Sequence, residues 1–301
     1  MIKNVNSPLV TRNPKTVLLS VILATRNEEE NIKRCLESVK DIASEIIIFD
    51  EYSTDSTREI AEKLGAKVYL EEHHDIFHIT KQKALEKANG EWILQLDADE
   101  VVTLELVTDI LNVVNGQLVT RNSQTDKLFQ RHQKLIEQRD GPIGKSTGYT
   151  VGYFIPRRNM FLGKPLIHAG VYPDGVIRLV KNGFARFPQK SVHEQIELDG
   201  KVGWLNGDLL HYDSPTLKRY LSRLNRYTDL HAEELKVKKL PNNILSFVKY
   251  VFLIPTSKFL TLYFRHLGFL DGVNGFLWSF FSALHFPIAY FKYVTDNKDI
   301  K

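Results

Sequence analysis

Through the first hundred positions the apolar residues gather in short runs separated by amphipathic stretches. Val17 to Thr25 (VLLSVILAT), Glu45 to Asp50 (EIIIFD), Ala66 to Leu70 and Trp92 to Leu96 are runs of strand length, rich in Val, Ile and Leu. They lack the in-out alternation of a half-exposed strand, as expected for a sheet covered on both faces. Between the first two, Asn27 stands three residues before Glu30, a capping-box start for a helix reaching Val39. Ser53 or Thr54 caps a second helix that stops at Gly65, and a third spans Ile79 to Ala88 before Asn89-Gly90. Strand and helix in strict alternation predict an α/β fold with a parallel sheet and right-handed crossovers.

The pattern then changes. Gln117 to Lys145 is polar, with a helix expected over Gln124 to Gln138 and Leu128, His132 and Leu135 near one face, read as an inserted surface helix or flap. Val151 to Ile155 and Gly175 to Phe187 predict an antiparallel pair with a turn at Lys181-Asn182-Gly183. Pro215 to Lys239 has helical spacing, with Leu217, Tyr220, Leu221, Leu224, Tyr227 and Leu235 as its packing face. Ile244 to Val294 holds nearly half of the aromatic residues and a single acid, Asp271. Its apolar stretches, Ile244–Phe264 and Gly275–Tyr293, flank a Gly/Asp-rich turn and are interrupted by Lys249, Pro255 and Lys258, and by His285 and Pro287. Neither offers the roughly 18 uninterrupted apolar residues of a spanning helix. A monotopic pair lying in one leaflet fits this composition, and a homodimer interface competes with it.

Composition narrows the class. At 301 residues the chain can bury a full core, and its net charge of +4 is spread without a basic stripe, which argues against nucleic acid as a partner. Cys35 stands alone, so no disulfide framework or cysteine metal site exists, and its helical position suggests ordinary packing. The polar N-terminus has no signal-peptide core, which places the expected location on the cytosolic side.

Three strand ends carry candidate chemistry. Trp92-Ile93-Leu94-Gln95-Leu96 runs into Asp97-Ala98-Asp99; residues two apart on an extended chain share a face, so both carboxylates are expected to converge as half of a divalent cation site. A solvated turn would also be written Asp-Ala-Asp. Asp50, after Ile-Ile-Ile-Phe, needs a partner and could accept from a base N–H or a ribose hydroxyl. Thr25-Arg26-Asn27-Glu28 ends the first strand with neither GxGxxG nor GxxxxGK[ST], so a bound diphosphate would need a metal for neutralisation. His211 could reach that metal or be a satisfied core histidine. Arg157, Arg158 and Arg178 are candidates for phosphate or acceptor contacts, with solvated charge the simpler reading of the first two.

ATRNEEENI, IIIFDEYSTDST and KQKALEKANGEWILQLDADE, in this order and spacing, resemble the nucleotide half of family 2 glycosyltransferases of the GT-A fold. The later GxxPDGVIRLV, VHE and LLHYDS segments resemble the lipopolysaccharide-core β-glucosyltransferase branch. The resemblance implies a GT-A catalytic domain over 1–214, with a nucleotide half near 17–115 and an acceptor half near 146–214, followed by a helical, membrane-associating region over 215–301. It implies that Thr25, Arg26, Asn27 and Glu28 line the nucleotide pocket, that Asp50 reads base or ribose, and that Lys81 contacts the nucleotide. Lys81-Gln82 departs from the Arg-Asn of many relatives. Asp99 becomes the direct ligand of Mn²⁺ or Mg²⁺, with Asp97 nearer the ribose. Inverting transfer needs a base to deprotonate the acceptor hydroxyl. Glu194 is the first choice, and His193 could serve instead or orient it. The implied reaction moves a hexose from a nucleoside-diphosphate sugar, by analogy a UDP-sugar, to a lipid-linked or lipopolysaccharide-core saccharide at the cytoplasmic face of a membrane. A sugar nucleotidyltransferase would need a Gly-rich basic loop after the first strand, and a non-catalytic GT-A-like binding protein would not need this acid set.

Overall fold

The computed structural model describes residues 18–117, 119, 123–145, 147–188 and 196–296. Its first part alternates β1 (Leu19–Thr25), α1 (Ile32–Glu37), β2 (Glu45–Asp50), α2 (Thr57–Lys63), β3 (Lys67–Leu70), α3 (Phe77–Lys87) and β4 (Trp92–Leu96). There follow β5 (Glu100–Val102), α4 (Leu104–Val114), α5 (Ser123–Asp140), β6 (Thr150–Phe161), β7 (Lys164–Pro165) and β8 (Asp174–Lys181). Then come β9 (Ala185–Arg186), β10 (Glu197–Leu198), β11 (Lys201–Trp204), β12 (Leu209–Ser214) and α6 (Leu217–Val237).

The main sheet has the order β3-β2-β1-β4-β8-β6-β12-β5. β1 pairs parallel with β2, from Ser20↔Glu45 to Thr25↔Asp50, and with β4, from Leu19↔Trp92 to Leu23↔Leu96. The chain winds outward from β1 to β3 and then returns to the other side of β1. Strand order therefore reverses between β1 and β4, and the carboxyl ends of these strands form the crevice where open α/β sheets bind ligands. β8 joins β4 antiparallel, so the second half extends the same sheet.

Both faces are covered. Val21, Leu23 and Leu94 share one core with Ile32 and Leu36 of α1 and Leu106 and Ile110 of α4. Ile22 and Ile93 point the other way, toward Ala84 and Leu85 of α3, Phe129 and Ile136 of α5, and Trp204. This explains why the first strands read as continuous apolar runs.

Several sequence expectations shift. Asn27 does not cap α1: its φ is +54° and its side chain accepts from the Thr54 backbone N–H, at 2.8 Å, so the helix starts at Ile32. Ser53 and Thr54 likewise serve this cross-loop contact, and α2 begins only at Thr57. α5 forms as the expected surface helix, over Ser123–Asp140, but not on a Leu128/Leu135 face. Those leucines are exposed, whereas Phe129 stacks on Trp204 and Gln133 accepts the Trp204 indole N–H at 3.0 Å. An aromatic partner outside the helix decided its rotation. The Asn182-Gly183 turn forms, but β9 leaves β8 and pairs with β10. In α6, Tyr220, Thr228, Ala232 and Leu235 are buried while Leu217, Leu221 and Tyr227 stay exposed, because small residues admit the neighbouring helix.

The last region is a helical hairpin. Its arms are Ile244–Arg265 and Gly272–Asp296, joined through a tight turn at Gly268–Asp271. Contrary to the sequence expectation, the first arm is long and apolar enough to cross a membrane by length and composition, with mean hydropathy 1.3. Pro255 does not end it, since widened turns over Lys249–Leu253 and Thr261–Arg265 flank the proline. Only 11% of its most apolar window is buried within the molecule. The turn is pinned to the segment between β7 and β8: Asp271 accepts from the backbone N–H groups of Ile167 and His168 and contacts His168 Nδ1 at 2.8 Å.

Candidate active site

The loop after β1 and the loop after β2 are locked together. Asp50, fully buried, accepts from Thr25 Oγ1 at 3.0 Å, from the Ser53 N–H at 2.8 Å and from Ser53 Oγ at 2.6 Å. Its oxygens thus hold the crevice wall together. Asn27 and Arg26 are exposed on that wall, and Glu28 is half-buried with its carboxylate accepting from Asn31. Burial, with Asp99 and Asp97 close by, pushes the Glu28 carboxyl up despite the Asn31 hydrogen bond and the charge of Arg219.

After β4 the chain turns, because Asp97 N–H donates to Glu100 and Glu100 N–H donates back to the Asp97 carbonyl. The turn breaks the period of two, and the two aspartates take separate partners. Asp97 is gripped by Lys81 Nζ at 2.6 Å, by Gln95 at 3.1 Å and by Arg178. Burial alone would raise its carboxyl; the charges of Arg178 and Lys81 outweigh that and hold it well below the usual range. Arg178 also binds Glu100 at 2.8 Å and Gln95, and Arg157 bridges Glu100 and Asp174 at 3.4 and 2.7 Å. Arg158 pairs with the buried Asp208. Arg157 and Arg158 are therefore paired rather than solvated. Cys35 is buried beneath the loop, its thiol 3.6 Å from the Asp97 carbonyl.

Asp99 instead faces His211 and Asp213 of β12, and one ligand atom of each lies within 4.8 Å of the others. His211 Nε2 is 3.6 Å from Asp99 Oδ2, and His211 Nδ1 is 2.6 Å from Asn159 Oδ1. The Asn159 amide is oriented by its own donation to Asp174 at 3.0 Å, so Nδ1 carries the proton toward Asn159. In neutral His211 the Nε2 lone pair then points at a carboxylate, an arrangement that a cation between them satisfies. Burial would raise Asp99, and a protonated His211, through its hydrogen bond and charge, brings it below its ordinary value. Two carboxylates and an imidazole with a fixed tautomer suit a divalent ion. Sequence reasoning passed over Asp213 and Asn159: Asn159 joins the site because β12 and β6 pair parallel with His211↔Asn159 in register, and Asp213 because β12 pairs antiparallel with β5, next to Asp99. His193 and Glu194 lie outside the described residues.

Residues 20–162 match the family model described as glycosyl transferase family 2. An uncharacterized glycosyltransferase of Rickettsia conorii is 27% identical over 94% of this chain and 91% of its own length. The lipopolysaccharide core biosynthesis glycosyltransferase LpsC of Rhizobium meliloti is 26% identical over 88% of this chain and 90% of its own. Among solved structures, S. aureus TarS 1-349 matches with a TM-score of 0.39 and 17% identity, over 83% of this chain and 74% of that one.

Proposed function

We propose that the chain, a glycosyltransferase whose residues 20–162 match the family 2 model, carries out a metal-dependent, inverting transfer of a hexose from a UDP-sugar to a lipid-linked or lipopolysaccharide-core saccharide. The observation that carries the reading is the Asp99–His211–Asp213 cluster at the strand-order reversal, beside the Lys81–Asp97–Arg178–Glu100 network.

Asp99, His211 and Asp213 would hold Mn²⁺ or Mg²⁺, whose charge would stabilise the departing diphosphate. Asn159 keeps the His211 ring oriented, and Asp174 keeps Asn159 oriented. Thr25, Arg26, Asn27, Glu28 and Lys81 border the nucleotide crevice, and Asp50 fixes its floor. Glu194 takes the proton of the acceptor hydroxyl, with His193 as its orienting neighbour. The acceptor oxygen bonds to the anomeric carbon as the bond to the diphosphate breaks on the opposite face.

The acceptor class is supported by the likeness to LpsC and by the apolar residues the hairpin exposes, including Phe252, Leu253, Leu260 and Phe264. An open groove of about 550 Å³ between α6 and the hairpin is lined by Leu224, Tyr227, Leu230 and Phe286 among others. A monotopic or peripheral seat on the cytoplasmic face of the membrane follows from this reading.

A thermal-shift panel of nucleotide sugars with and without Mn²⁺ or Mg²⁺ tests it. A true donor at 100 times its dissociation constant should stabilise the fold by ~2.7 kcal/mol. If no nucleotide sugar raises the melting temperature with either metal, the reading is wrong.

A further inference from the structure

The cations around the acid cluster are nearly all in use. Lys81 is bonded to Asp97, Arg178 to Asp97 and Glu100, Arg157 to Glu100 and Asp174, Arg158 to Asp208, and Arg223 to Asp213. Arg219 differs. It sits in the first turn of α6, five residues after the last β12 residue, and its backbone N–H is fixed by the Thr216 hydroxyl at 3.2 Å. Residues four apart share a helix face, so Arg219 lies one turn nearer the helix start than Arg223, on the side that reaches Asp213. Its charge is felt by both Glu28 and Asp99, which follow the carboxyl ends of the neighbouring parallel strands β1 and β4. Yet among the described residues its guanidinium has no hydrogen-bonded or ion-paired partner, although the side chain is half-buried.

We propose that Arg219 clamps the diphosphate of the nucleotide donor, an assignment that rests on the donor reading above. A planar guanidinium offers a fork of donors that matches phosphate oxygens. The paired cations would have to leave a carboxylate to bind an anion, and Arg219 would not. α6 follows directly on β12, the strand of His211 and Asp213, so Arg219 would close on the diphosphate from the start of that helix. This gives the site a leaving-group contact from outside the nucleotide half.

The test is titration of the full-length wild type, Arg219→Ala and Arg219→Lys with UDP and with uridine, in Mn²⁺ and in chelator. Uridine lacks the diphosphate and serves as the internal control. Arg219→Ala should weaken UDP binding on the order of 10–100-fold while uridine binding stays unchanged, the size expected for lost hydrogen bonds to a charged group. Arg219→Lys should fall between, since it keeps the charge and loses the fork. Equal weakening of UDP and uridine would mean that Arg219 only shapes the pocket, and unchanged UDP binding would remove it from the site; either result overturns the assignment. Wild-type protein that binds neither ligand would instead overturn the donor reading, and the assignment with it.

Discussion

Arg178→Met removes a buried guanidinium that donates to Gln95, Asp97 and Glu100 at once. Glu100 has no solvent exposure and, among the described residues, keeps only Arg157, at 3.4 Å, as an ion-paired cation. Asp97 is better placed: 31% of its side chain is exposed and Lys81 remains at 2.6 Å, so it can rehydrate. Breaking a buried pair by deleting one partner costs about 3–5 kcal/mol. With one of the two carboxylates able to recover, we expect the lower end, about 3 kcal/mol. Urea unfolding followed by tryptophan fluorescence is a suitable assay, since Trp92 lies on β4, directly paired to β8. A loss below ~1 kcal/mol, the range of a surface pair, would refute the reasoning. Acidification gives a second check. The folded Asp97 carboxyl lies below its unfolded value, so its ion pairs stabilise fully above roughly pH 4 and progressively less as pH falls through the folded value. The stability gap between wild type and variant should therefore narrow below that pH. A gap constant from neutral pH to pH 3 would show that Arg178 acts through packing alone.

Asn159→Ala should weaken Mn²⁺ binding about 10–100-fold, read by titration calorimetry, because His211 loses the acceptor that fixes its tautomer; unchanged affinity would place the metal elsewhere. Glu194→Gln should leave UDP binding intact and lower turnover roughly 10²–10⁴-fold, and a fully active Glu194→Gln beside an inactive His193→Ala would make His193 the base. Phe252→Ser with Phe264→Ser, two exposed positions on the first hairpin arm, should shift the protein from floating with liposomes to the soluble fraction. Liposome-independent behaviour of the wild type, with a dimer lost in the double variant, would identify this face as an oligomer interface.

The parallel half of the fold was legible because its elements are local. A strand covered on both faces announces itself as VLLSVILAT or WILQL, and the four runs lie where β1 to β4 form. What sequence spacing misjudged were positions whose partner lies far along the chain. Asn27 looks like a cap, yet Thr54 claims its side chain, and Leu128 looks apolar enough to pack, yet Trp204 selects Phe129. The Asp97/Asp99 pair shows the same effect at the site. Extended geometry would set both carboxylates on one face, whereas Glu100 closes a turn and hands Asp97 to Arg178 and Asp99 to His211. Asn159 carried no sequence signal, since only the β6–β12 register brings it to His211, and Asp213, two residues from His211, reaches Asp99 only because β12 pairs with β5.

The same register connects the site to the hairpin. β6 carries Arg157 and Asn159 toward the acid cluster and ends in Phe161, whose ring packs against Tyr220 and Trp278 and whose carbonyl accepts from Asn274 at 2.6 Å. A single residue, Met160, therefore separates the side chain that orients His211 from the one that anchors the second hairpin arm. Asp271 adds a second fastening through His168, on the segment between β7 and β8. The hairpin is thus mounted on the strands that position the site. Removing it would strip Phe161 and Tyr220 of their cover. Substitution of its outward apolar residues leaves that cover in place, and so separates surface attachment from the integrity of the strand that holds Asn159.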